Sequence, residues 1–154
     1  DLITEVLSGG QSARLHQALV KEQKLFSQID CYHTGSVENG LLIIEGKILP
    51  NVTPEQANAA IEVELDKLKQ TKISETELEK VKNKAESALA FEDMSVMNRA
   101  QSIAMYELLG DANLINVELS KYQAVTTEQI QEQSRIIFNE NNCSTMYYLS
   151  EGDK

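Results

Sequence analysis

The chain has 154 residues, the usual size of one domain, of which 42% are hydrophobic and 25% charged. Acidic residues outnumber basic ones by 24 to 14, for a formal net charge of -10, which argues against nucleic acid and anionic membrane surfaces as partners because both are bound through Lys and Arg. No apolar run approaches the ~20 residues that a membrane-inserted helix needs.

The first third of the chain predicts two short helices followed by a β-hairpin. Residues 2–7 have the pattern of a helix end closed by Gly9-Gly10, and residues 12–23 predict a second helix. Residues 25–34 and 41–49 have the composition of strands, so an antiparallel pair is expected. The turn between the strands is marked by Gly35, Ser36, Asn39 and Gly40.

The remaining residues predict helices whose starts carry capping boxes. Thr53, Ser74 and Thr126 each stand three residues before Glu or Gln, the spacing at which two side chains cap a helix start reciprocally. Further helices are expected over about 95–109 and 113–123, and a terminal strand over 143–149. We therefore predict one α+β domain over residues 1–154, with an antiparallel sheet covered by helices in two layers.

The chain opens at Asp1 inside an apparent helix and has no initiator Met. We therefore expect a C-terminal portion of a larger chain, with the domain truncated at its N-terminus. Cys31 and Cys143 are too few for a disulfide scaffold, and one bridge between their predicted strands is an alternative to two free thiols. The sequence does not indicate a compartment.

Residues 7–11 spell Leu-Ser-Gly-Gly-Gln, the signature with which ABC-type ATPases contact nucleotide phosphate. The apolar run 41–44, ending in Glu45, resembles the strand that delivers a magnesium-binding carboxylate in the same proteins. The chain has no G-x-x-x-x-G-K-[ST] loop, however, and a single carboxylate follows the run. A glycine break after a helix is the simpler interpretation.

The histidines do not predict a metal centre. A catalytic zinc takes about three protein ligands, and helical zinc motifs pair two His around a Glu. The chain has only His16, on a predicted helix, and His33, near a strand end. Cys31 and His33 are expected on the same side of their strand, where a thiol and a base could touch, but packing of Cys31 within the strand is the simpler interpretation. The acidic residues Glu75, Glu77 and Glu79, interleaved with lysines, have the pattern of a solvated helix face.

Residues Gly9, Gly10, Ser12, Arg14 and Leu15 follow the order G-G-x-S-x-R-L, and with them the chain resembles insulinase/pitrilysin-type zinc peptidases. Family-like features continue in the right order along nearly the whole chain: a strand at 40–44, the run 73–82 and the helix start at Thr126. Departures occur at Val20, Lys24 and Ser27, where the family often has Arg, Gly and Tyr.

The resemblance implies a non-catalytic domain. The family's zinc motif, H-x-x-E-H with a distal Glu, is absent, so no cofactor is expected in this chain and zinc is expected in a catalytic partner domain. Some members supply an Arg/Tyr pair to substrate, but Leu42 stands at the expected Arg position, and no catalytic, metal or substrate-binding residue is assigned. The five signature residues are interpreted as structural.

We predict the first of three functions, and the other two are alternatives. The first is the second wall of a peptide-enclosing chamber in a zinc endopeptidase, with the catalytic homologous domain and an extended peptide substrate as partners. The second is a structural or assembly subunit that is related to the family but has no proteolytic role. The third is a free-standing peptide-binding domain.

Overall fold

The structure, a computed structural model, describes residues 1–35 and 38–149 and has the predicted α+β fold. Two strands, β1 (Phe26–His33) and β2 (Leu42–Ile48), pair antiparallel with Cys31 opposite Ile44. Phe26, Ile29 and Cys31 are buried on one face of the hairpin, while most of the alternate side chains face outward. Ser36 of the predicted turn lies outside the described residues.

The helices surround this hairpin in the chain. Helix α1 (Leu2–Ser8) and a π-helix (His16–Glu22) precede it. After the hairpin come α2 (Pro54–Gln70), α3 (Glu75–Glu92), α4 (Val96–Leu108), α5 (Glu118–Ala124) and α6 (Thr127–Ile137), with 3₁₀ turns at Ala112–Asn116 and Glu140–Asn142. None of the helices in the described residues has both the length and the apolar character that crossing a membrane would require.

Two of the three predicted capping boxes are complete. The hydroxyl oxygens of Thr53 and Thr126 each accept a hydrogen bond from the backbone N–H of the Gln three residues later. The side-chain oxygen of that Gln in turn accepts a hydrogen bond from the backbone N–H of the Thr. At α3 only half of the box forms. Ser74 Oγ accepts from the Glu77 N–H at 3.1 Å, but the Glu77 carboxylate binds Arg14 instead of returning to Ser74.

Three predicted elements differ in the structure. The predicted helix 12–23 is wound as a π-helix from His16, with the Gln23 N–H donating to the Ala18 carbonyl five residues back. The predicted helix 113–123 is divided at Val117 into a 3₁₀ turn and α5.

The predicted strand 143–149 is wrong for this structure. The segment forms no strand, and Met146 and Tyr148 are 91% and 97% exposed. A strand requires a partner for its backbone hydrogen bonds, and within residues 1–35 and 38–149 the sheet contains only β1 and β2.

The core forms where α1 and the π-helix meet the inner face of the hairpin and the helices α2, α3 and α6. Leu7, Leu15, Leu19 and Leu68 are fully buried there. The layer of helices therefore packs on one face of the hairpin, as the two-layer prediction requires. The other buried residues of these helices and of the segment before α3 are Leu2, Ile3, Val6, Ala57, Ile73, Leu78, Val81 and Ile130.

We expect the substitution Leu15→Ala to lower the free energy of unfolding by about 2–5 kcal/mol, because it leaves a cavity in this core. Leu108→Ala is the matched control: it removes the same atoms from a side chain that is 81% exposed, and its effect should stay within about 0.5 kcal/mol. Urea denaturation of both variants measures the difference. Equal destabilisation by the two substitutions would contradict the described core.

Candidate functional site

The two glycines after α1 are required by backbone geometry. The Gly9 N–H donates to the Glu5 carbonyl at 2.8 Å, and a Cβ added at Gly9 would lie 2.3 Å from that carbonyl oxygen. Gly10 has a φ of +107°, a region that residues with a side chain rarely adopt. The chain can therefore turn out of α1 here only with glycine at both positions.

Arg14 holds this turn against the start of α3. Its Nε and one terminal nitrogen donate to the two carboxylate oxygens of Glu77, each at 2.8 Å, and both side chains are about three-quarters buried. The hydrogen bonds to Glu77 raise the pKa of the Arg14 guanidinium, and the negative charge of the buried Glu64 in α2 acts in the same direction. A two-pronged pair of this kind fixes orientation as well as distance.

The other signature residues add to the same junction, which we call the signature corner (Gly9, Gly10, Ser12, Arg14 and Leu15). Lys80 Nζ of α3 donates to Ser12 Oγ at 2.6 Å, and Leu15 is fully buried. The five residues thus join the end of α1 and the π-helix to α3. Their described contacts are internal to the fold, and they bring no catalytic group together.

The prediction of a solvated face on α3 agrees with the exposure of Glu75, Glu79, Lys80 and Lys84, whereas Glu77 is partly buried. The expected pairing one helical turn away is wrong for the lysines. Lys82 Nζ donates to the Gln123 carbonyl at 2.8 Å, and Lys84 pairs with Glu5 of α1. The partners of the two lysines, and Arg14 as the partner of Glu77, are all distant in the sequence, whereas the predicted pairs were one helical turn apart. The charged residues of α3 therefore connect it to α1, the signature corner and α5.

The residues that the structure describes do not form a zinc-binding site. His16 lies on the π-helix, and His33 at the end of β1 places its Nε2 2.5 Å from Asp1 Oδ1. Over residues 1–35 and 38–149 the structure contains no group of three or more His, Cys, Asp or Glu side chains able to hold a metal ion.

The structure does not bring Cys31 and His33 together as a thiol–base pair, because the described partner of His33 is the Asp1 carboxylate. Burial raises the pKa of the Cys31 thiol to about 12, which disfavours the thiolate needed for nucleophilic attack. Both cysteines are free, Cys31 buried and Cys143 exposed, so the alternative of a bridge between them is not found.

The ATPase-like motif lies at the C-terminal end of α1, whereas phosphate binds at helix N-termini. Leu7 is fully buried in the core. Ser8 Oγ accepts from the Cys31 N–H and donates to the Cys31 carbonyl, both at 2.8 Å. Ser8 of the motif therefore occupies backbone hydrogen-bonding groups at the outer edge of β1, and the motif provides no phosphate site.

The outward face of the hairpin is polar and acidic. Asp30 and Glu45 lie directly opposite each other on β1 and β2. Gln28 Nε2 donates to Asp30 at 2.7 Å, and the Tyr32 hydroxyl donates to Glu45 at 3.0 Å. Sequence reasoning missed this surface because it depends on the register of the hairpin, which the composition of the two strands does not give. Leu42, opposite His33, begins β2.

Comparison with known proteins identifies relatives of the chain. The family model described as the Peptidase M16 inactive domain matches residues 1–85. YmxG of Bacillus subtilis (strain 168), named an uncharacterized zinc protease, is 26% identical over 141 residues, which are 91% of this chain and 34% of YmxG. The chain thus spans about a third of the length of that curated relative.

Two solved structures share the fold. The inactive peptidase domain of a zinc protease from Bordetella parapertussis matches with a TM-score of 0.87 and 20% identity, over 97% of this chain and 81% of that one. A protease from Helicobacter pylori matches with a TM-score of 0.84 and 20% identity, over 92% of this chain and 34% of that one. At these identities the structures support the fold alone.

We expect Glu77→Gln to lower the free energy of unfolding by about 1–2 kcal/mol, because it leaves a partly buried guanidinium with a neutral partner. Glu79→Gln, two residues along α3 and exposed, is the control and should change little. Urea denaturation at low and high salt measures both. An unchanged Glu77→Gln variant would show that Arg14 does not hold the corner.

We expect one of the two thiols to react rapidly with dithionitrobenzoate in the native protein. Cys143 is exposed, whereas Cys31 is buried with a pKa of about 12. Both should react in denaturant, and Cys143→Ser should abolish the rapid phase. Two rapid equivalents in the native state would contradict the burial of Cys31.

Proposed function

Because the chain belongs to the family of inactive peptidase M16 domains, we propose that it is the non-catalytic domain of a zinc endopeptidase and forms the second wall of a chamber around the peptide substrate. The observation that carries the proposal is the family match over residues 1–85, which covers the signature corner, the hairpin, α2 and the first part of α3. It confirms the resemblance inferred from residues 9–15 and the expectation of an inactive domain in a zinc protease family.

The proposed division of labour places the hydrolytic zinc in a catalytic partner domain. The two histidines of this chain lie on separate elements, and the described residues do not converge on a cation. A hydrolytic zinc needs three ligands and an open position. In this proposal residues 1–154 are one domain of a longer chain and act through shape and contacts.

A wall domain contributes by enclosing the substrate, which excludes water and holds an extended peptide in a defined orientation. The hairpin suits this role because a sheet edge can pair with an extended segment. Ser8 occupies the outer backbone groups of Cys31 on β1. We therefore propose that the outer edge of β2 faces the peptide or a strand of the catalytic domain.

The rival proposal is a structural or assembly subunit without proteolysis. Both proposals share the fold and the signature corner, so the structure of this chain does not separate them. A zinc-dependent peptidase activity in the full-length protein would distinguish the chamber wall from the assembly subunit.

We expect purified residues 1–154 to hold no stoichiometric zinc and to cleave no peptide, and the full-length protein to bind about one zinc per chain. The full-length protein should cleave unstructured peptides, and removal of zinc by a chelator should abolish cleavage. Metal analysis by mass spectrometry together with a quenched fluorescent peptide measures both.

A full-length protein with neither zinc nor cleavage would favour the assembly subunit. One zinc bound tightly to residues 1–154, with cleavage by that fragment alone, would overturn both proposals.

A further inference from the structure

The segment that follows the last 3₁₀ turn, residues 143–149, has the side-chain pattern of a strand; we call it the terminal segment. Exposure alternates along it. Met146 and Tyr148 are 91% and 97% exposed, whereas Tyr147 and Leu149 are 47% and 57% exposed. A period of two is that of an extended chain, whose successive side chains point to opposite faces. The terminal segment therefore has the two faces of a strand although it belongs to no sheet among the described residues.

The backbone of the terminal segment has no partner within residues 1–35 and 38–149. At its first residue, Cys143, the backbone is extended, with φ −127° and ψ 140°. None of the hydrogen bonds between described residues involves a backbone group of the segment. In a sheet, the N–H and C=O groups of such a chain bind those of a neighbouring strand. Another β-strand is therefore the partner that fits the terminal segment.

The composition of the terminal segment favours a permanent partner. Its sequence is Cys-Ser-Thr-Met-Tyr-Tyr-Leu, without a charged residue, Pro or Gly. Natural sheet edges are protected by charged side chains or Pro, and an uncharged exposed strand of this length is an aggregation hazard. A site for a transient peptide would leave the segment bare whenever the site is empty. A strand of the same polypeptide would cover it throughout.

The solved inactive peptidase domain contains more residues than this chain supplies. The match to the Bordetella parapertussis domain takes in 97% of this chain but 81% of that one, so about a fifth of the solved domain lies outside the match. A strand in a globular protein takes about 5–6 residues. The unmatched fifth is therefore long enough for at least one strand and its connection.

We propose that the terminal segment is a strand of the complete inactive domain and pairs with a β-strand of that same domain that lies outside residues 1–154. This inference goes beyond the proposed function, because it concerns the sheet of the domain and not its role in a peptidase. The net charge of -10 opposes pairing between terminal segments of two copies. Interfaces with other domains are more polar than the interior of one domain, which the uncharged segment matches better.

The first experiment is hydrogen–deuterium exchange of the full-length protein, followed by mass spectrometry of overlapping peptides that cover the terminal segment. In a strand that is paired on one side, every second N–H donates to the neighbouring strand. We therefore expect alternate amides of the segment to exchange at least about 100-fold more slowly than in the unfolded protein. The same peptides from the protein in denaturant give the reference rate.

The second experiment identifies the partner strand by photo-crosslinking in the full-length protein. Tyr148→p-benzoylphenylalanine places the probe on the more exposed face of the terminal segment. Val96→p-benzoylphenylalanine is the matched control, because position 96 is 85% exposed but begins helix α4. Side chains directly opposite each other on neighbouring strands are about 5 Å apart, within reach of the probe. We expect the position-148 probe to crosslink to a residue outside residues 1–154 of the same chain and outside any zinc-binding domain, and the position-96 probe not to crosslink to that residue.

Exchange of all amides of the terminal segment at the reference rate would overturn the proposal. Crosslinks from position 148 to a zinc-binding domain, to a second copy, to an added peptide or to nothing would also overturn it. Neither experiment requires zinc or activity, so failure here is distinct from failure of the proposed function. A full-length protein without zinc or cleavage would sink the proposed function even if the terminal segment is paired.

Discussion

The close approach of Gly9 to the Glu5 carbonyl is the constraint on which the rest of the structure depends. Without a Cβ at this position α1 can end and the chain can turn toward the π-helix. Arg14 then reaches Glu77, 63 residues further along the chain, and closes the turn against α3. Glycine at position 9 therefore allows the turn that brings Arg14 to Glu77, and this contact orients the elements before the hairpin relative to α3.

The signature corner is built from contacts within the fold. Each of its described contacts stabilises or orients a structural element, and the polar groups nearest to it are engaged by other parts of the fold. In our proposal, selection on this domain acts on shape. A chamber wall must keep its sheet in a fixed position relative to the catalytic domain, and the catalytic domain supplies the metal chemistry.

Features determined within a few residues could be predicted from the sequence. The caps at Thr53 and Thr126, the glycine break after α1 and the antiparallel hairpin all follow from local preferences. Features that depend on distant partners could not. The Glu77 carboxylate accepts hydrogen bonds from Arg14 and not from the Ser74 N–H that a capping box would pair with it. The segment 143–149 has strand-like composition but pairs with no strand in the described residues.

The central claim is that this domain shapes a peptidase and holds no metal itself. Anomalous diffraction at the zinc edge from crystals of the full-length protein tests it most directly, because it locates each zinc ion in the chain. Our account predicts a zinc peak in the partner domain and none within the region of residues 1–154. A peak within coordination distance of His16 or His33 would contradict it.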